Sequence, residues 1–310
     1  VANYFLNKIG QVVFTLWGVS LVVFLILRLS PGDPAALMLP THYTEEEYQS
    51  VRHALGLDKS LPEQYWIFIT DIILRGDFGH SYVRAGDALS LVLERVPKTF
   101  VLAVGSMTLA LLISIPLGAF MALHQGGWLD SLGLAFIMIS QSAPSFAVGV
   151  LLVLIFAVKL GLLPATGYGG LRHLVLPCAT LALLVAPVIT QVTRTGLIEA
   201  LREDYVRTAH AKGLSENRIV LKHALTATMM SIITMIGLQF GLLMAGTFVV
   251  EAVFAYPGIG QLLLESISLR DYPMIQATIM VSATIFMLVN MLVDLTYGLI
   301  DPRIRLKGQA

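Results

Sequence analysis

The sequence has little charge and almost no cysteine. Lys, Arg, Asp and Glu make up 13% of its 310 residues, against about 25% in soluble domains, so there is too little polar surface to coat a water-soluble fold. Cys178 is the one cysteine. That excludes intrachain disulfides, CxxC redox chemistry and cysteine-based zinc sites together. Twenty basic residues balance twenty acidic ones, and no field of one sign points to nucleic acid. Neither GxxxxGK followed by Ser or Thr nor HExxH occurs, so the P-loop route to ATP hydrolysis and the common zinc-hydrolase helix are both missing. Seven histidines are scattered; His42, His53 and His80 do not stand at a ligand spacing, and no metal site or cofactor is expected in the chain.

What is present is apolar: 56% of the residues are hydrophobic. Crossing about 30 Å of hydrocarbon takes roughly 20 residues of helix, and uncharged runs of that order lie near Ile9–Leu27, Thr99–Leu123, Leu132–Val158, Leu174–Thr193, Thr228–Val250 and Pro273–Val293. The chain therefore reads as an all-α integral membrane protein with six transmembrane helices. The first run is longer than a typical signal core, and Arg28-Leu29-Ser30-Pro31 offers no small-x-small cleavage site. A cytoplasmic amino terminus places Lys8, Arg194, Arg202, Arg207, Lys212, Arg218, Lys222, Arg303, Arg305 and Lys307 inside, against Lys159, Arg172 and Arg270 in the short outer loops. The positive-inside rule favours this topology, with both termini cytoplasmic.

Three regions follow: an N-terminal helix (1–29), an extracytoplasmic region (30–98) and a core (99–310). Ser30-Pro31-Gly32-Asp33-Pro34 ends the first helix. Thr44–Leu55 and Gln64–Leu74 then read as short helices of a small external insertion, either a docking face or lid, or a passive addition. Pro116, Pro144 and Pro187 fall in or near hydrophobic runs, which reads as broken helices along an internal pathway or as ordinary kinks. Gln141, Ser142, Gln191, Gln239 and Asn290 add polar groups that are expected to face the bundle interior, as glue or as pathway lining. Gly237-x-x-x-Gly241 is spaced for close approach to a neighbouring helix or a second subunit. Asp294 reads as the only acidic residue close to the interior of a span, with a structural role beside Arg303 or Arg305 or a role as a proton site.

The polar island of the second half runs from Glu203 to Leu225, within a cytoplasmic segment near 201–225. Up to Lys212 it suits a helix with Leu201, Val206 and Ala209 on one side. Gly213 permits the left-handed turn that stops it, and Ser215 stands where it can cap a second helix pinned by Leu214 against Ile219. Arg207, Lys212, Arg218 and Lys222 give this elbow a surface that a soluble partner can grip. Basic loops also arise from topology alone.

Arg207-Thr208-Ala209-His210-Ala211-Lys212-Gly213-Leu214 with His223-Ala224-Leu225 resembles the cytoplasmic loop of permease subunits in binding-protein-dependent ABC importers, in the dipeptide, oligopeptide and nickel branch. Other stretches resemble the same branch in the same order. They are Pro31-Gly32-Asp33-Pro34, Leu55-Gly56-Leu57-Asp58 with Gln64-Tyr65, Gly76-Asp77-Phe78-Gly79-x-Ser81 and Leu163-Pro164-Ala165-Thr166-Gly167. Glu251-x-x-Phe254-x-x-Pro257-Gly258-x-Gly260, Arg270-Asp271-Tyr272-Pro273 and Asn290-x-Leu292-Val293-Asp294 leading to Asp301-Pro302-Arg303-Ile304-Arg305 complete the set.

The resemblance implies a type I ABC importer permease fold in a prokaryotic inner membrane. It also implies a second, homologous permease subunit, two ABC ATPase subunits that bind ATP and Mg, and an extracytoplasmic binding protein. Tyr205, Arg207, Thr208, Ala209, Ala211, Lys212, Gly213 and Leu214 would form the coupling segment, with Gln141, Ser142, Pro144, Gln191 and Gln239 as pathway candidates. No residue is expected to be catalytic. Thr226-Ala227 stands where the family often has Arg-Asn, and Ser231 where proline is usual, so the exit from the coupling region is expected to bend less. The expected solute is a di- or oligopeptide, with a nickel complex or another small solute as the variant. Two other classes are a proton-coupled secondary transporter using Asp294 and an intramembrane serine protease using Ser106 or Ser142 with His124.

Overall fold

The computed structural model describes residues 2–29, 35, 39, 42–54 and 56–300, with the side chains of 2–6, 54, 246 and 294–300 left aside. The turn at 30–34, Leu55, the Asp294 side chain and the Asp301–Arg305 stretch lie outside the described residues. Apart from one bridge between His80 and Asp87, the described residues form no β-structure. Thirteen α-helices of six residues or more organise them: α1 (Ala2–Leu29), α2 (Glu45–Ala54), α3 (Leu61–Arg75), α4 (Ala88–Leu93), α5 (Val96–Leu123), α6 (Trp128–Ser142), α7 (Ser145–Leu152), α8 (Leu171–Leu201), α9 (Asp204–Ala211), α10 (Leu225–Gly246), α11 (Phe248–Val253), α12 (Ile259–Ser268) and α13 (Tyr272–Ile300). Five stretches are long and apolar enough to cross a membrane, within Asn7–Leu29, Ala88–Leu123, Leu171–Leu201, Glu216–Ala245 and Tyr272–Val293.

The sixth expected span, Leu132–Val158, is not one helix. Trp128–Ser142 and Ser145–Lys159 meet at 105°. Ala143, which precedes proline, is extended (ψ 126°), and Pro144 starts the second arm at φ −61°. The proline ring disfavours helical backbone in the residue before it, and proline has no N–H to donate. Proline alone does not decide the matter, because Pro116 in α5 and Pro177 and Pro187 in α8 lie inside continuous helices. The reading of Pro116 and Pro187 as breaks is thus corrected: packed neighbours tolerate the lost bonds. The Ser114 hydroxyl lies 2.6 Å from the Ala110 carbonyl and 3.0 Å from that of Ala186, close to both prolines in sequence.

The described residues divide into two compact units, 1–98 with 258–285 and 99–257 with 286–310. In the first, α3 packs on α1: Tyr65 and Phe68 flank Phe24 at 5.4 and 5.8 Å, and the Tyr65 and Ser20 hydroxyls are 2.9 Å apart. Glu63 receives the Ser60 N–H and hydroxyl and so starts α3, while Gly76 ends it at φ 65°. Thr44 and Glu47 form the same reciprocal cap on α2, as the acidic run at its start foretold. Ala88 and Val92 of α4 pack with Leu262, Met274 and Ala277. Asp271, 2% exposed, accepts the Ser81 hydroxyl and the Tyr82 N–H, and Arg84 pairs with Glu265. The Gly-Asp-Phe-Gly-x-Ser and Arg-Asp-Tyr-Pro motifs are therefore two halves of one anchor.

The second unit is built on α8, whose buried face runs from Leu176 to Ala200. Lipid is as apolar as leucine, so close contact between membrane helices depends on small residues. Gly118 of α5 lies against Thr193 and the Thr190 carbonyl, Gly105 against Cys178, and Gly196 against Thr228 of α10. Gly237 lies against Val293, and Gly241 against Phe286 and Asn290. The glycine pair of α10 therefore serves a helix of the same chain.

Candidate coupling surface

Beyond Leu201 the α8 helix gives way to Arg202 and Glu203, and Asp204 opens α9 where a negative charge complements the helix dipole. The eight residues of α9 bury Val206 and Ala209 against Ile219, with Leu201 and Leu214 at the edge of the cluster. At its end the Gly213 N–H donates to the His210 carbonyl at 2.9 Å and the Leu214 N–H to that of Ala209 at 3.2 Å. Gly213 has φ +74°, the left-handed region that L side chains avoid. A side chain there would meet nothing within 4 Å; glycine is needed for the backbone alone.

Past the corner, Ser215 has the extended geometry of a capping residue, but its hydroxyl makes no cap bond. Residues 219–224 form wide turns in which the Leu225 N–H bonds the Val220 carbonyl five residues back. Glu216–Ala245 then runs as one span.

The surface this leaves is specific. Tyr205, Arg207, Thr208, Ala211, Lys212 and Gly213 are exposed, Leu214 is half-buried and Ala209 faces inward at 7% exposure. Arg207 reaches Asp204 at 3.6 Å, and His210 reaches Glu216 across the corner at 3.7 Å. Partial burial, with Glu203 nearby, raises the Tyr205 pKa above its usual value, so its hydroxyl stays a donor at physiological pH. The elbow rests on a second cluster of Ala122, Leu197, Ala200 and Ala224, to which Leu201 also packs. A mixed-charge ridge on a rigid apolar footing is suited to receive a push.

The pathway candidates sit elsewhere than expected. Gln141, Ser142, Pro144 and Gln191 are exposed and Gln239 is half-buried. The first four do not face the interior of their own chain. The carbonyl of Met138 takes the Ser142 hydroxyl at 2.8 Å, and the α6–α7 bend presents Gln141, Ser142 and Pro144 together. Ser106 donates to Leu102 at 2.7 Å, and His124 Nδ1 lies 2.8 Å from the Phe120 carbonyl. Each thus bonds its own helix, and no serine–histidine pair forms among them. Asn290 and the hydroxyls of Thr190 and Thr193 are buried without a partner at one polar atom each.

Two carboxylates that the sequence reading passed over are buried within the chain. Asp130 and Glu251 are 2% and 0% exposed. Glu251 accepts the Thr99 and Thr247 hydroxyls at 2.8 Å each, and Asp130 holds Arg194. The signal for the latter pair was topological: the positive-inside assignment puts the start of α6 and the end of α8 at the same membrane face.

Residues 114–306 match the family described as binding-protein-dependent transport system inner membrane component, and residues 1–103 match its N-terminal family. A glutathione transport system permease protein GsiC of Pectobacterium atrosepticum is 43% identical over 305 residues, covering 98% of this chain and 99% of that protein. That of Escherichia coli K12 is 40% identical over the same length and shares. An inward-facing structure of the MetNI methionine ABC transporter superposes with a TM-score of 0.52 at 18% identity, covering 66% of this chain and 95% of that one. This last likeness concerns the fold alone.

Proposed function

This chain belongs to the binding-protein-dependent transport system inner membrane components, as a multi-pass permease of the ABC importer class, and we propose how it performs that task. It forms half of a pathway for peptides of about glutathione size, the other half coming from a second permease subunit. Two ATPase subunits, which carry the ATP and Mg, dock on the cytoplasmic elbow, and an extracytoplasmic binding protein delivers the solute. The amino terminus faces the cytoplasm. The peptide class rests on the GsiC relatives, matched end to end.

One observation carries the mechanical part. A short helix with Tyr205, Arg207, Thr208, Ala211 and Lys212 turned outward is fixed from beneath by Val206, Ala209 and Ile219. Closure of the ATPase pair pushes α9, and the push passes through Leu201 to the inner ends of α8 and α10. The pathway then opens alternately to each side as these spans tilt.

The test is reconstitution of the complete transporter in liposomes with its binding protein, measuring uptake of labelled glutathione and of dipeptides against ATP hydrolysed. ATP-dependent uptake of at least one is expected. Uptake by the permease without its ATPase subunits would overturn the reading, and cross-linking of the ATPase to residues other than 203–214 would overturn the docking site.

A further inference from the structure

The inner ends of α6 and α8 are joined by an ion pair between a buried carboxylate and a half-buried guanidinium that neither the transport chemistry nor the elbow itself requires. Arg194 Nε and Nη2 donate to Asp130 Oδ1 and Oδ2, both at 2.7 Å. The same carboxylate takes the Gly126 N–H at 2.9 Å, so it accepts three N–H groups while 2% exposed. Gly126 turns the chain at φ +77°, and the Gly127 N–H closes on the His124 carbonyl at 2.9 Å. The four-residue loop before α6 is thereby fixed. One turn into α6, Gly133 lies hard against Met121 of α5. Within two turns beyond Arg194 along α8, Leu197 and Ala200 enter the cluster that Leu201 links to the elbow.

The arrangement is continuous. From the corner at Gly213 it runs through Leu201 and Leu197 to Arg194, crosses to Asp130, and follows α6 to the 105° bend where Gln141 and Ser142 are presented. From Asp130 to Ser142 is about 18 Å at 1.5 Å per residue. A carboxylate that loses its partners while buried carries a heavy desolvation penalty, so separation of this pair during each cycle is strongly opposed.

We propose that Asp130–Arg194 is a permanent joint, which makes the inner half of α6 move with α8 and α9 as one body, so that displacement at the elbow is delivered to the bend at Ser142–Pro144. This rests on the coupling role proposed above. Asp130 and Arg194 are positioning residues: they transmit motion and touch no solute.

Two measurements on the complete transporter test it. In the first the pair is left intact, with spin labels at Leu132, which is exposed, and at Thr195. Their separation is expected to hold to about 1–2 Å between nucleotide-free and ATP-bound states, and a change of a helical turn, about 5.4 Å, overturns the joint. In the second, Asp130→Cys and Arg194→Cys are combined in a Cys178→Ser background and bridged by a cross-linker of arginine length. The unbridged protein is expected to lose uptake per ATP by about tenfold, within the usual range of coupling between sites, with basal hydrolysis retained; bridging restores it. Full coupling without the bridge, or loss of uptake on bridging, refutes the proposal. Gly213→Pro separates the two levels: if that variant couples normally, the elbow reading fails, whereas a moving 132–195 distance with Gly213→Pro uncoupled defeats the joint alone.

Discussion

Gly213 offers the sharpest perturbation because its two roles, space and backbone, separate cleanly. An added Cβ would meet nothing within 4 Å, yet φ is +74°, so every substitution acts through conformation. An L residue in the left-handed region costs about 1–2 kcal/mol, less for Asn, whose short amide tolerates that region. Such a cost lowers the population of the sharp corner by about 5- to 30-fold relative to any competing geometry. Proline is worse, since its φ is locked near −65° and it deletes the N–H that bonds His210 at 2.9 Å. The expected order of uptake per ATP in liposomes is Gly, then Asn, Ala, Val and Pro, with membrane insertion and basal ATP hydrolysis retained throughout. An Asn variant as impaired as Val would refute the backbone argument and point to side-chain interference with the docked partner. A Val variant that transports normally would remove the elbow from the mechanism.

Other perturbations test the surrounding structure. Gly118→Val drives a side chain into Thr193 and the Thr190 carbonyl, backbone that cannot move aside; about 1–3 kcal/mol of overpacking strain should appear as a lower midpoint of thermal unfolding in detergent. Asp271→Ala leaves the Ser81 hydroxyl and Tyr82 N–H without their acceptor, at about 1–3 kcal/mol per buried group, and is expected to speed proteolysis at residues 77–87. The Ser60 hydroxyl and N–H hold the Glu63 carboxyl below its ordinary 4.5. A folded pKa that is depressed gives a contribution present above the unfolded value and lost as pH falls through the folded one. Hydrogen exchange in the first turn of α3 should therefore become faster relative to a Glu63→Gln control only on acidification below that range.

The elbow was legible because its determinants are local. Val206 and Ala209 stand three apart on one helical face, Gly213 is the residue a left-handed turn selects, and Leu214 and Ile219 meet as a staple must. Ser215 was legible as a position only, since its hydroxyl makes no cap bond. What escaped depends on residues far apart. Asp130 and Arg194 are 64 positions apart, and Ser81 and Asp271 are 190 apart, so neither pairing has a local signature. The three prolines read alike in sequence, yet only Pro144 begins a new helix. Polarity in a span indicates avoidance of lipid without saying which chain provides the shelter, and Gln141, Ser142 and Gln191 find none within their own.

That last placement bears on how the solute range of such a transporter changes over generations. On the pathway reading proposed above, amides on the outside of a greasy chain shape only one wall of a conduit, and the facing wall would be written in the second permease subunit. A lineage can then acquire a new cargo by altering the companion or the delivery protein while the residues described in this chain stay as they are, and chimeric pairs from related systems should show that freedom as hybrid uptake spectra.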